Sequence, residues 1–312
     1  MKKVLVTGGF GFIGTRMVRH LLIKGLEVVV MEHPSAQVPP GLEGVQILRA
    51  DITDETSLAK VKMQGLDAVL HLAGQASGER SFYEPGLDIR LNILGTLNTI
   101  NWCVENKVDR LLFASSFTVY GDHPGRELYD ESMCCYPKSV YATSKLTCEH
   151  LLRNYAQAKG IRWNALRMFN VYGPGQNISR SDQGVVGIFM YMLMKSDVVE
   201  IKGRLDRFRD LIYIDDVIQG WERVLFSQAY NQTFNLGTGV RSSYDELIHL
   251  LADVMGKSDR LEIRQLEGTP GDMLGSVADI TRIREAVHYS PKYPLKDGLK
   301  EMWEWVRESG RF

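Results

Sequence analysis

A tyrosine and a lysine stand four positions apart in residues 141–145, which read YATSK, so both side chains share one face of a helix. A free phenol has a pKa of about 10 and is a poor base at neutral pH. A neighbouring ammonium group favours the phenolate and lowers that pKa. Tyr141, helped by Lys145, can then remove a hydroxyl proton while a hydride leaves the same carbon atom. A surface helix with a half-buried tyrosine has the same spacing.

Two serines, Ser115 and Ser116, stand at the end of a predicted strand upstream of this helix. The Ser116 hydroxyl can hydrogen-bond a substrate oxygen and stabilise a carbonyl group as it forms. Serines at strand ends are also common turn residues. The position therefore favours a catalytic role for Ser116 without excluding a structural one.

Residues 7–14 read TGGFGFIG, directly after the apolar run 4–6 and ahead of a helical pattern. Gly9, Gly11 and Gly14 follow the spacing that lets a backbone turn approach a pyrophosphate at a helix N-terminus. Glu32 closes the next predicted strand, where a carboxylate accepts hydrogen bonds from an adenosine ribose and repels a 2′-phosphate. Together these residues predict a dinucleotide site that prefers NAD over NADP.

Short β-branched runs alternate with helical patterns through the first half of the chain. The predicted strands are residues 4–7, 28–31, 45–49, 68–73, 111–115 and 162–167, and the predicted helices are 14–24, 56–61, 87–105 and 141–158. This alternation predicts an α/β fold with a Rossmann-type, doubly wound parallel sheet and a smaller C-terminal substrate-binding lobe. We assign residues 1–167 to the NAD-binding domain, with returning segments near 211–240, and residues 168–210 and 241–312 to the substrate lobe.

The bulk composition is that of an ordinary globular enzyme, with 44% hydrophobic and 24% charged residues among 312. A net charge of −1 gives no electrostatic argument for nucleic acid or an anionic membrane as a partner. We expect no signal peptide, no membrane span and no metal site. Four cysteines without a disulfide or zinc pattern predict a reducing compartment, the cytoplasm.

Further sequence blocks extend along nearly the whole chain. They are ADI at 50–52, HLAG at 71–74, NILGT at 92–96, SSFTVYG at 115–121, RMFNVYGPG at 167–175, RDLIYIDDV at 209–217, FNLG at 234–237 and PGD at 270–272. With the glycine run and YATSK, these blocks resemble the nucleotide-sugar epimerase/dehydratase family of extended short-chain dehydrogenases/reductases. The resemblance implies NAD as cofactor, a nucleotide-diphosphate sugar as substrate and a homodimer that pairs helices near 91–103 and 143–155.

The resemblance also implies roles for individual residues. The catalytic set is Ser116, Tyr141 and Lys145. The cofactor-binding set is Gly8, Gly11, Phe12, Ile13, Gly14, Glu32, Asp51, Ile52, Leu72, Ala73, Gly74, Asn92, Tyr141 and Lys145. The substrate-binding set is Ser116, Asn170, Arg209 and Ser276, of which Asn170 and Arg209 grip the diphosphate.

Three of these residues have structural alternatives. Asp51, implied to contact the adenine amino group, can instead cap the following helix. Asn92, implied to hold Lys145 through water, can bond its own helix. Arg209 can pair with the adjacent Asp210.

Two positions after Ser116 help to choose the reaction. Dehydratases and decarboxylases of this family typically carry an acidic residue two places after the catalytic serine or threonine. This chain has Phe117 and Thr118 at the two positions that follow Ser116. Loss of water needs a general acid. Oxidation at C4 and re-reduction from the other face, a 4-epimerase reaction, is therefore favoured. A 4-keto-sugar reductase is the alternative, a dehydratase is less favoured, and a non-catalytic sensor is disfavoured by the presence of Tyr141 and Lys145.

Two positions depart from the family pattern. Thr269 stands where many epimerases have a diphosphate-binding arginine, so Arg207 or Lys202 is a candidate replacement. Ser276 stands where some 4-epimerases have a bulky aromatic residue beside the sugar. The smaller serine predicts room for an N-acetyl group.

Overall fold

The structure, a computed structural model, describes residues 1–178, 184–267 and 274–309. Its strands are β1 (Lys3–Thr7), β2 (Glu27–Glu32), β3 (Gln46–Arg49), β4 (Ala68–His71), β5 (Arg110–Ser116), β6 (Leu128–Tyr129), β7 (Arg162–Met168), β8 (Asn170–Tyr172), β9 (Val198–Lys202), β10 (Phe208–Arg209), β11 (Leu211–Tyr213), β12 (Gln232–Leu236), β13 (Ser242–Ser243), β14 (Glu262–Leu266) and β15 (Gly275–Ala278). Its α-helices are α1 (Phe12–Ile23), α2 (Glu55–Ala59), α3 (Arg80–Tyr83), α4 (Pro85–Leu87), α5 (Gly95–Glu105), α6 (Val140–Leu151), α7 (Val185–Lys195), α8 (Ile214–Phe226), α9 (Tyr244–Val254), α10 (Thr281–Val287) and α11 (Leu295–Ser309).

The central element is a seven-stranded sheet in the order β12-β7-β5-β4-β1-β2-β3, and all of its strands are parallel. The order reverses between β1 and β4, so the carboxyl ends of these strands diverge and open a crevice for a ligand. The doubly wound α/β fold predicted from the sequence is confirmed.

Apolar side chains alternate between the two faces of this sheet. Val4 and Val6 of β1 face the cluster that includes Met17 of α1 and Trp221 of α8. Leu5, between them, faces the opposite cluster, which includes Trp102 of α5. Successive strand residues point to opposite faces, and apolar residues on both faces require a layer of helices on each.

Two helices are longer and less regular than the sequence predicts. The predicted helix 87–105 is α4, a π-helical run Asp88–Leu94 and α5 in succession. The predicted helix 141–158 is α6, followed by a π-helical run over Leu152–Ala156 and a 3₁₀ turn over Gln157–Lys159. Hydrophobic periodicity predicts that such helices exist but does not report a local change in winding.

The remaining strands form smaller sheets. One has four strands in the order β13-β10-β15-β6, and two have two strands each, β11-β8 and β14-β9. Between them, the chain returns to the large sheet as β12, which pairs in parallel with β7. The domain boundaries assigned from the sequence remain a prediction. Within the described ranges, no helix is long and apolar enough to cross a membrane.

Candidate active site

The glycine run forms the tight turn between β1 and α1. Gly8 has a φ of +67°, and a Cβ there would lie 2.6 Å from the Ala73 backbone nitrogen. A Cβ on Gly14 would lie 2.0 Å from the Gly8 carbonyl oxygen. Only glycine fits these two positions, and the turn leaves the N-terminus of α1 open to an anion such as a pyrophosphate.

A cavity of about 380 Å³ lies at the carboxyl ends of the central strands. Nine predicted site residues line it: Gly8, Gly11, Phe12, Ile13, Gly14, Leu72, Gly74, Tyr141 and Lys145. The cavity therefore joins the glycine turn to the Tyr-Lys pair, two features 130 residues apart that the sequence predicts separately.

Glu32 ends β2 with its carboxylate turned back to the glycine turn. The Phe10 backbone N–H donates to Glu32 Oε1 at 2.7 Å. Burial raises the pKa of Glu32, while the Phe10 hydrogen bond and the charge of Arg49 oppose this. The carboxylate is held in one orientation beside the turn, as a ribose-binding group requires.

Asp51 lies in the loop after β3, and its Oδ1 accepts hydrogen bonds from the Thr53 N–H and hydroxyl, each at 2.8 Å. The cap of α2 is Asp54, which accepts from the Thr56 N–H at 2.9 Å. The alternative that Asp51 caps this helix is therefore wrong. Ile52 is buried, and a Cβ on Gly95 would lie 2.8 Å from its Cδ1, so Ile52 packs closely on α5.

The catalytic set is assembled from two elements. Ser116 is the last residue of β5, and Ser139 caps α6 by accepting from the Ala142 N–H at 3.1 Å. This cap places Tyr141 in the first turn of α6 and Lys145 one turn later. The three side chains that the sequence analysis singled out are nearly buried, with exposed fractions of 6%, 9% and 5% for Ser116, Tyr141 and Lys145.

The electrostatics of this set are those of a buried acid–base pair. Burial raises the pKa of Tyr141 to about 12, hydrogen bonding with Ser116 opposes the rise, and the charge of Asp88 adds to it. Burial also lowers the pKa of Lys145. The Lys145 Nζ lies 5.9 Å from the centre of the Tyr141 ring and 4.9 Å from that of Phe113. The ammonium group is thus next to the phenol whose ionisation it favours.

Asn92 joins three segments behind Lys145. Its Oδ1 accepts from the Gln75 N–H at 2.8 Å, and its Nδ2 donates to Ser144 Oγ at 2.9 Å and to Asp88 Oδ1 at 3.1 Å. Asp88 lies on the same helical run as Asn92, so Asn92 does bond its own helix, as the alternative predicts. It also bonds two other segments, through Gln75 and Ser144. The link to Lys145 through water remains a prediction.

Gln75, Asp88 and Ser144 belong to this network and were missed by the sequence analysis. The Gln75 Nε2 donates to Asp88 Oδ1 at 3.2 Å. The only signal in the sequence is the spacing of four between Asp88 and Asn92, which places both on one helix face. A polar pair at that spacing is too common to single out.

Three of the four predicted substrate residues, Asn170, Arg209 and Ser276, lie on the smaller sheets, whereas Ser116 ends β5 of the large sheet. Arg209 of β10 and Ser276 of β15 are direct partners in a parallel register. Asn170 of β8 pairs with Leu211, and its Nδ2 donates to the Asp210 carbonyl at 3.1 Å. Residues from three distant segments therefore lie side by side.

The Arg209 guanidinium does not pair with Asp210. It donates to the Phe208 carbonyl at 2.7 Å. The buried Asp210 carboxylate instead accepts from the Thr238 N–H at 2.8 Å, the Gly239 N–H at 2.9 Å and the Ala278 N–H at 3.1 Å. The salt-bridge alternative is wrong because neighbouring strand residues point to opposite faces.

Arg207 lies on the same side as Arg209. Their guanidinium carbons lie 4.7 Å and 5.2 Å from the centre of the Tyr244 ring. Arg207 also donates to the Lys202 carbonyl. Thr269 and the PGD block at 270–272 lie outside the described residues.

Phe117 and Thr118 occupy the segment in which dehydratases of the family that this sequence resembles carry an acidic residue. Phe117 stacks on Phe169 with ring centres 5.1 Å apart. The Thr118 hydroxyl donates to Ser116 Oγ at 3.0 Å. Neither side chain can protonate a departing hydroxyl as a carboxylic acid does.

A buried ion pair connects the elements that carry the predicted catalytic residues. Arg167 of β7 contacts Glu149 of α6 through two hydrogen bonds of 2.9 and 2.7 Å, and the Ser115 hydroxyl donates to Glu149 at 2.5 Å. These contacts fix α6 against β5 and β7. Cys135, to which the sequence analysis gave no role, lies beside this pair, where burial raises the pKa of its thiol and the charge of Arg167 opposes the rise.

Comparison with known proteins agrees with this geometry. The sequence profile of the NAD dependent epimerase/dehydratase family matches residues 4–237. A UDP-glucose 4-epimerase of Mycolicibacterium smegmatis is 30% identical, over 99% of this chain and 100% of the relative.

Solved structures extend the similarity to three dimensions. A UDP-glucose 4-epimerase of Thermotoga maritima with UDP-glucose has a TM-score of 0.90 and 31% identity, covering 98% of this chain and 99% of that one. A UDP-glucose 4-epimerase of Thermus thermophilus in complex with NAD has a TM-score of 0.85 and 33% identity, with the same coverage.

Proposed function

This chain belongs to the NAD dependent epimerase/dehydratase family, and we propose that it is a nucleotide-sugar 4-epimerase that inverts C4 of a nucleotide-diphosphate hexose through a transient 4-keto sugar. Family membership confirms the prediction of NAD as cofactor. The observation that carries the proposal is the buried Tyr141–Ser116–Lys145 set beside a segment, 117–118, that has no carboxylate.

The proton step belongs to Tyr141. Its phenolate oxygen takes the proton of the C4 hydroxyl and returns it once the sugar has turned. The Ser116 hydroxyl hydrogen-bonds the same sugar oxygen as its carbonyl character develops. The hydrogen bond with Ser116 opposes the effect of burial on the phenol, and the ammonium group of Lys145, 5.9 Å from the centre of the Tyr141 ring, favours the phenolate by its charge.

The cofactor residues fit a bound dinucleotide. When bound, NAD would supply the hydride acceptor and donor for C4, and the positive charge of its nicotinamide ring would favour the phenolate form of a neighbouring tyrosine. The glycine turn and the α1 N-terminus hold the pyrophosphate, and Lys145 holds the nicotinamide ribose. Glu32 holds the adenosine ribose and repels a 2′-phosphate.

The absence of a carboxylate at residues 117 and 118 argues against dehydration. Loss of a hydroxyl group as water needs a proton donor at that oxygen. The stacked ring of Phe117 and the hydroxyl of Thr118, which is bonded to Ser116, supply no such acid. Oxidation and re-reduction at C4 need a proton acceptor, which Tyr141 supplies, and a hydride acceptor, which NAD would supply.

The diphosphate anchor is formed by Asn170 and Arg209, with Arg207 as the group that takes over from the family arginine missing at position 269. A guanidinium group binds phosphate oxygens through paired, charge-assisted hydrogen bonds. An anchor fixed at this end lets the 4-keto sugar turn its other face to the cofactor. Ser276, next to Arg209 in the register, leaves space beside the sugar for an N-acetyl group.

The test is incubation of the purified protein, without added cofactor, with a panel of nucleotide sugars, followed by proton NMR. Appearance of the C4 epimer of one substrate supports an epimerase that regenerates its own NAD. Turnover that requires a 4-keto sugar and added NADH or NADPH would replace the epimerase with a 4-ketoreductase.

The quaternary state and location complete the proposal. We propose a homodimer that pairs the helices around 91–103 and 143–155, where Val104 and Thr143 are exposed. Light scattering that gives the mass of one chain would contradict it. The cytoplasmic location predicted from the cysteines remains a prediction. The resemblance to nucleotide-sugar epimerases also implies a role in polysaccharide biosynthesis, which is a prediction as well.

A further inference from the structure

A buried carboxylate lies behind the Tyr-Lys pair. Asp88 opens the π-helical run Asp88–Leu94 and has no exposed surface. Its Oδ1 accepts hydrogen bonds from Asn92 Nδ2 at 3.1 Å and Gln75 Nε2 at 3.2 Å. An ionised carboxylate without surface exposure needs a compensating partner.

The contacts of Asp88 fix the direction of the Asn92 amide. A carboxylate only accepts hydrogen bonds, so Nδ2 of Asn92 must face it. The Oδ1 of Asn92 then faces the Gln75 N–H and the space above Gly74. A Cβ on Gly74 would lie 2.8 Å from that Oδ1 and 3.3 Å from Lys145 Nζ, so both polar atoms border one small space.

The charge of Asp88 also acts on both members of the pair. Burial lowers the pKa of Lys145, and the negative charges of an ionised Cys148 thiol and of Asp88 oppose this. The same charge raises the pKa of Tyr141. Asp88 thus favours the protonated form of each residue.

Other ionisable groups near the pair do not take this role. Cys148, on the same helix as Lys145, raises the pKa of Lys145 when its thiol is ionised, but burial raises the pKa of that thiol, so it carries no charge at neutral pH. His71 of β4 is buried and neutral, with its pKa lowered to about 3. Glu149 is bonded to Arg167 and Ser115. Burial raises the pKa of Asp88 itself, while the Gln75 hydrogen bond and the charges of Lys145 and Arg80 oppose the rise.

We propose that Asp88 is a positioning residue of the epimerase reaction, which orients the Asn92 amide and balances the charge of the buried Lys145 ammonium. This inference rests on the proposed function. Asp88 has no exposed surface and is not among the residues that line the cavity, so it acts through Asn92 and Lys145.

The variant Asp88→Asn separates charge from shape. The amide keeps an Oδ1 that accepts from both Asn92 and Gln75 but removes the negative charge. Tyr141 must be deprotonated and Lys145 protonated for catalysis. We therefore expect both limbs of the pH profile of kcat/KM to move to lower pH.

The matched control, Ser144→Ala, removes another partner of Asn92 Nδ2 without any change in charge. We expect it to lower kcat and to leave both limbs of the pH profile in place.

A second readout does not depend on epimerisation. In the NAD-saturated protein, the ionisation of Tyr141 is followed by the ultraviolet difference between each protein and its Tyr141→Phe counterpart. We expect this transition at lower pH in Asp88→Asn than in the native chain. Asp88→Ser tests the same charge if Asp88→Asn does not fold, with the same expected shift.

The outcomes are distinguishable. A Tyr141 transition that stays in place in the folded Asp88 variants would overturn the charge-balancing role. A kcat for Asp88→Asn equal to that of the native chain, with unshifted limbs, would overturn both roles. A shifted transition in a protein that epimerises none of the nucleotide sugars would retain the role of Asp88 as a charge balance and overturn the proposed function.

Discussion

The site has a cofactor side, around Asn92 and Lys145, and a substrate side, around Arg209 and Ser276. Polar side chains on the cofactor side bond to one another, whereas those on the substrate side bond mainly to backbone groups. Asn92 by itself makes hydrogen bonds with Gln75, Asp88 and Ser144. On the other side, Arg209 donates to the Phe208 carbonyl, and Ser276 Oγ is buried without a hydrogen-bond partner in the described part of the chain.

This difference separates the chemistry from the specificity. Side-chain hydrogen bonds from several elements hold the residues around the proposed acid–base pair, so their geometry exists before any ligand binds. The proposed diphosphate-binding Arg209 bonds only to backbone carbonyls in the described part of the chain, and we propose that it gives these bonds up for the nucleotide sugar. A change on the cofactor side should therefore alter kcat, and a change on the substrate side should alter KM or the choice of sugar.

The largest effect is expected from Tyr141→Phe. Loss of the phenol oxygen removes the proton acceptor, and we expect kcat to fall by about 10³-fold, with substrate binding retained. The matched control is Tyr155→Phe, because Tyr155 continues the same helical run but its hydroxyl donates to Asn101 at 2.8 Å. Native-like turnover by Tyr141→Phe would disprove the acid–base assignment.

Substitution of Arg209 by methionine tests the substrate side. Loss of a charge-assisted hydrogen bond of 1.5–3 kcal/mol should raise KM by about 10- to 100-fold, with a smaller change in kcat. Arg264→Met, at an exposed arginine paired with Glu262 at 2.7 Å, is the control. A larger KM effect in Arg207→Met than in Arg209→Met would move the main anchor to Arg207.

Ser276→Tyr tests the space beside the sugar. Ser276 is 1% exposed, so a tyrosine ring there extends beyond the packed space of the serine, and under the proposal it takes the volume that an N-acetyl group would use. We expect kcat/KM for N-acetylated substrates to fall by about tenfold or more relative to plain hexoses. An unchanged ratio would remove Ser276 from the specificity determinants.

The smallest effect is expected from Ser276→Ala. A buried hydroxyl without a partner is unfavourable, so its removal should leave the free energy of unfolding unchanged or raise it by up to about 1 kcal/mol. In contrast, Ser144→Ala removes hydrogen bonds to Asn92 and to the Tyr141 carbonyl, and should lower it by about 1 kcal/mol. Denaturant unfolding of both variants measures the difference, and a clear loss of stability in Ser276→Ala would show that its hydroxyl is bonded.

Much of the cofactor side could be predicted because its signals are local. The glycine turn, Glu32 and the Tyr-Lys pair each depend on a short spacing whose backbone geometry is set by neighbouring residues. The outcome for Arg209 shows the limit, since adjacency in sequence suggested a pair with Asp210. In the structure, strand alternation turns the Asp210 carboxylate toward Thr238, Gly239 and Ala278 instead.

The sequence by itself determined the parallel sheet, the dinucleotide turn and the helix that carries Tyr141 and Lys145, because apolar periodicity and glycine spacing act over a few residues. Only the tertiary structure placed Asp88 close enough to Lys145 for its charge to act there, and placed Arg209 beside Ser276. The residues of each pair are more than 50 positions apart in the sequence, so their placement depends on how whole helices and strands pack.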